Sequence, residues 1–150
     1  MTGNTFESKN TLASEGITEK NVHIIKNEHV SIDAGMLYHV SDNDADFVHS
    51  TIHVFLRNMQ ETIYKIEQSV KTRDWNKVYR YAHSAQSSLC IIKIEEMSDW
   101  LTYLKENAEN RANYDNIVEL VKRVKERYFF AQAILSEEFP VKSVLTFTEA

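Results

Sequence analysis

His83 sits in the stretch YRYAHSAQSSLCII (Tyr79–Ile92), where most of the residues near it in sequence are small. A neutral imidazole is a nucleophile near pH 7, and the small Ser84, Ser87 and Cys90 would leave this one standing clear of its surroundings. That arrangement suits a ring nitrogen which another protein must reach, whereas an isolated exposed histidine on a solvated helix face usually does nothing. Asp46, His49 and His53 share one flank of a helix at a spacing metal ligands use. A di-metal carboxylate bundle needs paired Glu-x-x-His motifs on separate helices, and the sequence has none, so a solvated flank is expected and no metal site. Cys90 follows His83 by seven residues. On a helix that is about 10.5 Å, too far for a thiol–imidazole dyad, so Cys90 reads as a small, partly exposed residue.

The elements that hold His83 follow from the breakers and the apolar spacing. Gly3, Gly16 and Gly35 all lie at or before position 35, and the one proline is Pro140. The stretch between them lacks both strong helix breakers, which predicts an all-α body with short connections. A short helix capped by Asp33 is expected to end near Val40, and SDNDAD opens a long one carrying Val48, Ile52, Phe55, Leu56, Met59, Ile63, Ile66 and Val70 at three-and-four spacing. Asp74 caps the next helix, with the stripe Val78, Ala82, Ala85, Leu89 and Ile92. After a turn near Lys93 a third long helix carries Ile94, Met97, Leu101 and Ala108, and ENRANYD separates it from a last one with Ile117, Val121, Val124, Tyr128, Ala131 and Leu135. Four such helices bury their stripes most simply as an antiparallel up-down four-helix bundle with a short additional N-terminal helix. Period-two alternation is absent, so no strand-rich fold is expected.

On the helical wheel the stripe of the second long helix spans about 80°, and His83 lies roughly 140° from its centre. The ring is therefore expected on the outer wall, with Tyr79, Arg80, Gln86 and Ser87 one turn away.

At 150 residues, 43% hydrophobic and 26% charged, the chain suits one globular domain, expected over residues 31–138, with flexible tails over 1–21 and 141–150. Val144, Leu145 and Phe147 are candidates to dock the second tail on the body. A formal charge of −5 argues against nucleic acid and against an anionic membrane surface. No run approaches the roughly 20 apolar residues of a membrane span, and no secretory signal is visible. With Cys90 as the single cysteine, a cytoplasmic location is expected.

The segment AHSAQSSLCIIKIEEM, preceded by the long helix FVHSTIHVFLRNMQETIYKIEQSV and the connector KTRDWNKVYRYAH, resembles histidine-containing phosphotransfer (HPt) domains over about residues 31–138. The resemblance implies a four-helix bundle with no kinase activity of its own, in which His83 accepts a phosphoryl group from a receiver-domain aspartate and passes it on. The implied partners are a response-regulator receiver domain, a hybrid sensor histidine kinase, or both. No cofactor is implied on this chain, since the Mg²⁺ belongs to the partner receiver.

Two positions depart from the family pattern. Gln86 stands where the family often has a lysine facing the phosphate, and Ser87 stands where it commonly has glycine. Glutamine donates a hydrogen bond but no charge, and on an exposed surface the missing electrostatic contribution is roughly 1 kcal/mol. Arg80, about 60° round the same face, and Lys105, on the following helix near the height of His83, are the cations that can compensate. A polar residue of that following helix often bonds the histidine ring in the family, which makes Lys105 the candidate for that role. Trp75, Tyr79 and Cys90 are candidates for an apolar docking rim, although the first two, with Tyr81, also suit the closing of one bundle end. The acidic run Glu95–Asp99 reads as a solvated helix start, and one of Phe129 and Phe130 as surplus to the core. The alternative is a pseudo-HPt interaction module that docks a receiver or kinase without being phosphorylated.

Overall fold

The computed structural model describes residues 23–111 and 113–141. The two expected tails therefore lie outside the described residues apart from Val141, and so do Val144, Leu145 and Phe147. Five helices form the body: α1 (Gly35–Val40), α2 (Ala45–Lys71), α3 (Trp75–Ser88), α4 (Met97–Asn110) and α5 (Tyr114–Glu138). The four long helices pack each on its sequence neighbours and the last on the first, closing the up-down bundle with α1 as the short extra helix. Every stripe residue expected in the core is buried, joined by Leu104, Leu120 and Ile134.

The helix starts follow local chemistry. The Asp44 carboxylate accepts from the Phe47 N–H at 3.1 Å, and that of Asp74 from the Lys77 N–H at 3.2 Å. The start of α1 corrects the sequence reading by one residue. Ala34 is the N-cap, and Asp33, one position earlier, accepts the Gly35 N–H at 2.8 Å in a tight turn. A Cβ at position 35 would come within 3.0 Å of that same carboxylate oxygen, which is why glycine fits there. Where the long body lacks glycine, other residues take the left-handed backbone at helix boundaries: Arg73 (φ 55°), Glu96 (φ 67°) and Arg111 (φ 53°) among them.

A small sheet was not expected from the sequence. Strands β1 (Ile24–Lys26), β2 (Ser31–Asp33) and β3 (Lys93–Ile94) pair antiparallel in that order, with Ile25 opposite Ile32 and Ile32 opposite Ile94. The Asn27 side chain shapes the hairpin turn by accepting from the His29 and Val30 N–H groups at 2.8 and 3.0 Å. Val30, Ile32 and Ile94 are buried, so the sheet is a lid of the common core placed where α3 turns back into α4.

This sheet also accounts for a second difference. The apolar stripe of α3 runs on to Ile92, but the helix ends at Ser88 with Leu89 as its C-cap. The Ser87 and Ser88 hydroxyls turn back to the carbonyls of His83 and Ser84 at 3.1 and 3.4 Å, a competition with the backbone that favours helix ends. Pairing of Lys93–Ile94 with β2 then draws the chain away from the helix axis.

On the far side of the bundle, α2 and α5 are cross-braced. The Tyr128 hydroxyl, inside the core, donates to the Leu56 carbonyl at 2.7 Å, and Lys125 pairs with Glu67 at 2.8 Å. Burial pushes the Tyr128 phenol up to about 12. Arg127 fastens α5 to the corner before α4: it donates to the Glu95 carbonyl at 2.7 Å and to the Glu96 carboxylate at 2.9 Å, its guanidinium 4.8 Å from the Trp100 ring. Glu96 of the expected solvated run is thus tied to another helix. Phe130 packs partly into the core and stacks on His29 at 4.6 Å, whereas Phe129 is 51% exposed.

Candidate functional site

Because α3 buries Val78, Ala82 and Ala85, its opposite wall carries His83, which is exposed. The antiparallel return of α4 sets a register in which each turn back along α3 meets a turn forward along α4. Gln86 meets Ser98 and Thr102, His83 meets Lys105, and Trp75, Tyr79 and Arg80 line a groove of about 440 Å³ with Ala108 and Arg111.

Lys105 is half-buried, its Nζ 3.4 Å from His83 Nδ1 and 5.6 Å from the centre of the Tyr79 ring. The height expected from the sequence is therefore met by a direct contact. A long aliphatic stem lying along the seam with its ammonium at the edge explains how a lysine sits beside the stripe of Leu101, Leu104 and Ala108.

Gln86 does not face the ring. Its Nε2 donates to α4, with Thr102 Oγ1 at 2.6 Å, the Ser98 carbonyl at 3.0 Å and Ser98 Oγ at 3.3 Å. It works as a bridge between helices rather than as a solvent-facing donor beside His83. Ser98 and Thr102 were missed in the sequence, although with Lys105 they form a polar edge at three-and-four spacing next to the buried Met97, Leu101 and Leu104. Ser87 is likewise committed to the backbone through its bond to the His83 carbonyl, which keeps it low beside the ring.

Arg80 is exposed, its guanidinium 5.8 Å from the Tyr81 ring; among the described residues no hydrogen bond joins it to His83. Trp75 and Tyr81 pack partly against the core, and Trp75 meets Tyr114 edge-on at 6.3 Å, consistent with closing one end of the bundle. Tyr79 keeps 37% of its surface exposed beside the groove. Cys90 is exposed but lies in the turn beyond α3, its N–H bonded to the Ser87 carbonyl at 3.2 Å, so it does not share the helical face of His83.

His49 and His53 differ from the solvated flank that was expected. Both are half-buried, with ring centres 4.8 Å apart, and the Nε2 atom of each is buried without a hydrogen-bond partner. Phe139 approaches the His49 ring edge-on at 6.0 Å, and Asp46 is exposed. Among the described residues no group of three or more His, Cys, Asp or Glu side chains is placed to hold a metal ion. Among them, too, no helix is long and apolar enough to cross a membrane.

No protein-family model matches the sequence, and no curated protein matches it. Among solved structures the fold is similar to that of histidine-containing phosphotransfer protein B (HptB) from Pseudomonas aeruginosa PAO1. The TM-score is 0.65 over 75% of this chain and 96% of that chain, at 14% sequence identity. The likeness establishes that this chain has an HPt-like helical bundle.

Proposed function

We propose that the protein is a phosphoryl carrier of a two-component phosphorelay, accepting a phosphoryl group on His83 from a receiver-domain aspartate and passing it to another. The observation that carries this reading is the exposed imidazole of His83 on the outer wall of an HPt-like bundle with the Lys105 ammonium at its edge. The Nδ1 nitrogen is in contact with Lys105, which leaves Nε2 as the nitrogen for attack.

The chemistry asks little of this chain beyond a positioned ring. The Nε2 electron pair attacks the phosphorus of an aspartyl phosphate, the N–P bond forms, and the aspartyl carboxylate leaves with its pair. The partner receiver supplies the acidic pocket and the Mg²⁺. The Lys105 ammonium supplies the positive charge that Gln86 lacks, and a charge-assisted bond to phosphate is roughly twice as strong as a neutral one. Ser84 and Ser87 keep the approach low. The groove beside Tyr79 and Trp75 offers an apolar rim for the docking face of a receiver or of a hybrid sensor kinase. The carrier needs no kinase activity of its own, and with a formal charge of −5 it is directed to protein partners rather than to nucleic acid. A cytoplasmic location fits this role.

One observation favours a second reading. The Gln86 amide nitrogen is engaged with α4, so among the described residues Lys105 is the lone cation in direct contact with the ring, as would suit a pseudo-HPt module that docks a receiver without accepting phosphate. Incubation with radiolabelled phospho-receiver separates the two. A carrier acquires acid-labile, alkali-stable label that disappears in His83→Gln, with the variant's thermal midpoint unchanged. Binding without label identifies the module, and neither binding nor label defeats both.

A further inference from the structure

The contact between α3 and α4 at His83 is chemically one-sided. Lys105 Nζ lies 3.4 Å from His83 Nδ1. An ammonium has three donors and no acceptor, whereas a neutral imidazole carries its single proton on one nitrogen or the other. Nδ1 must then accept, and the ring proton sits on Nε2. Among the described residues no carboxylate lies within ion-pair distance of Lys105, and the other group beside its ammonium is the Tyr79 ring, its centre 5.6 Å away. Among the described residues nothing anionic competes for the ammonium.

We propose that Lys105 is a positioning residue that holds resting His83 in its Nε2–H tautomer and lets go of it when a phosphoryl group arrives. The proposal rests on the reading of His83 as phosphoacceptor. With a proton on Nε2 that nitrogen has no electron pair to offer, so the resting ring is chemically latched. An aspartyl phosphate brought up by its receiver is a far better partner for an ammonium than a neutral ring nitrogen. Lys105 moves from Nδ1 to a phosphoryl oxygen, and the ring exchanges its proton through solvent from Nε2 to Nδ1. The freed Nε2 pair attacks phosphorus, the bond from phosphorus to the aspartyl oxygen breaks with its electrons left on the carboxylate, and the Nδ1 proton departs to solvent. The phosphorylated ring presents an unprotonated Nδ1, Lys105 stays with the phosphoryl oxygens now carried on Nε2, and it returns to Nδ1 once the group has been passed on. His83 thereby becomes the better nucleophile when the anion it is to receive is present, by about the fivefold that an exposed charge-assisted contact is worth.

The test is ¹⁵N NMR of the His83 ring in the full chain, at a pH where the ring is neutral. The wild type is expected to show Nε2–H as the dominant form. Lys105→Met lowers the ratio of Nε2–H to Nδ1–H by about fivefold, the factor equivalent to an exposed charge-assisted contact of about 1 kcal/mol. Lys105→Glu, whose carboxylate can only accept, inverts the preference, and Lys105→Arg restores it. With inorganic phosphate as the anion probe, the Nδ1–H share rises in the wild type and not in Lys105→Met. A wild type resting as Nδ1–H, a Lys105→Glu ring identical to the wild type, or a phosphate response that is absent or equal in wild type and Lys105→Met overturns the proposal. Labelling from phospho-receiver on the same samples keeps the two ideas apart. Label on a ring resting as Nδ1–H defeats the latch and spares the relay, whereas a latched ring that never takes label defeats the relay alone.

Discussion

The two seams that flank the core are built in opposite ways. Between α2 and α5 the polar contacts reach inward: Tyr128 donates from inside the core to the Leu56 carbonyl, and Lys125 and Glu67 meet where both are partly covered. Between α3 and α4 the side chains facing the core include Ala82, Ala85 and Ala108, and the polar contacts run along the outer edge through Gln86 and His83. Inward bonds are shielded from water and contribute to stability, while edge bonds mostly set register and leave groups open to a partner. The division places cross-bracing on one side of the bundle and the exposed imidazole on the other, so on the proposed function substitutions at the two seams should separate folding from phosphotransfer.

The largest effect on folding is expected from Tyr128→Phe. Losing the buried hydrogen bond lowers stability by about 1 kcal/mol, read as a lower urea midpoint, with phosphotransfer at His83 unchanged. Its pH dependence gives a second signature. The phenol is held near 12 in the native chain against 10.0 for an ordinary tyrosine, so this contribution is complete below 10 and declines as pH rises through the folded value. The variant should lose one proton's worth of that alkaline limb; an unaltered limb would mean that Tyr128 is not shielded as described. Gln86→Ala should cost somewhat less than 1 kcal/mol, because its bonds lie at the edge, but unlike Tyr128→Phe it should also broaden the ¹⁵N signals of the His83 ring by loosening the α3–α4 register. Identical ring spectra would show that Gln86 does not set that register. The smallest effect is expected from Arg80→Ala. With its guanidinium near Tyr81 rather than bonded to the ring, the substitution should change the rate of labelling by less than about twofold, the scale of an exposed charge. A tenfold loss would return Arg80 to the site.

The bundle was legible because its helices are long and their stripes regular; three turns or more of three-and-four spacing average out local exceptions. The exposure of His83 followed from a wheel angle, and the height of Lys105 from the antiparallel return. The sheet was not legible, since strands of two or three residues are too short for period-two alternation to register. The end of α3 was hidden for the opposite reason: Leu89 and Ile92 are buried whether the chain is helical or turning, so the stripe outlasts the helix. The direction of Gln86 depends on Ser98 and Thr102, residues 12 and 16 positions away, and no reading of α3 by itself could reveal it. The partial cover over His49 involves Phe139, whose contact with the start of α2 depends on how α5 packs across the bundle.

The bends between the long helices have a consequence for how this molecule can be adjusted. Arg73, Glu96 and Arg111 occupy backbone that a glycine would adopt freely, at a cost on the order of 1 kcal/mol each. Two of them are kept in place by what their side chains do: Arg73 stacks 4.0 Å above Tyr114, and Glu96 receives Arg127. Arg111 borders the groove beside Tyr79. Thermal robustness is thus partly surrendered at the corners between rods, and at Arg73, away from the groove, a lineage under heat stress could recover it without disturbing the surface on which the imidazole stands.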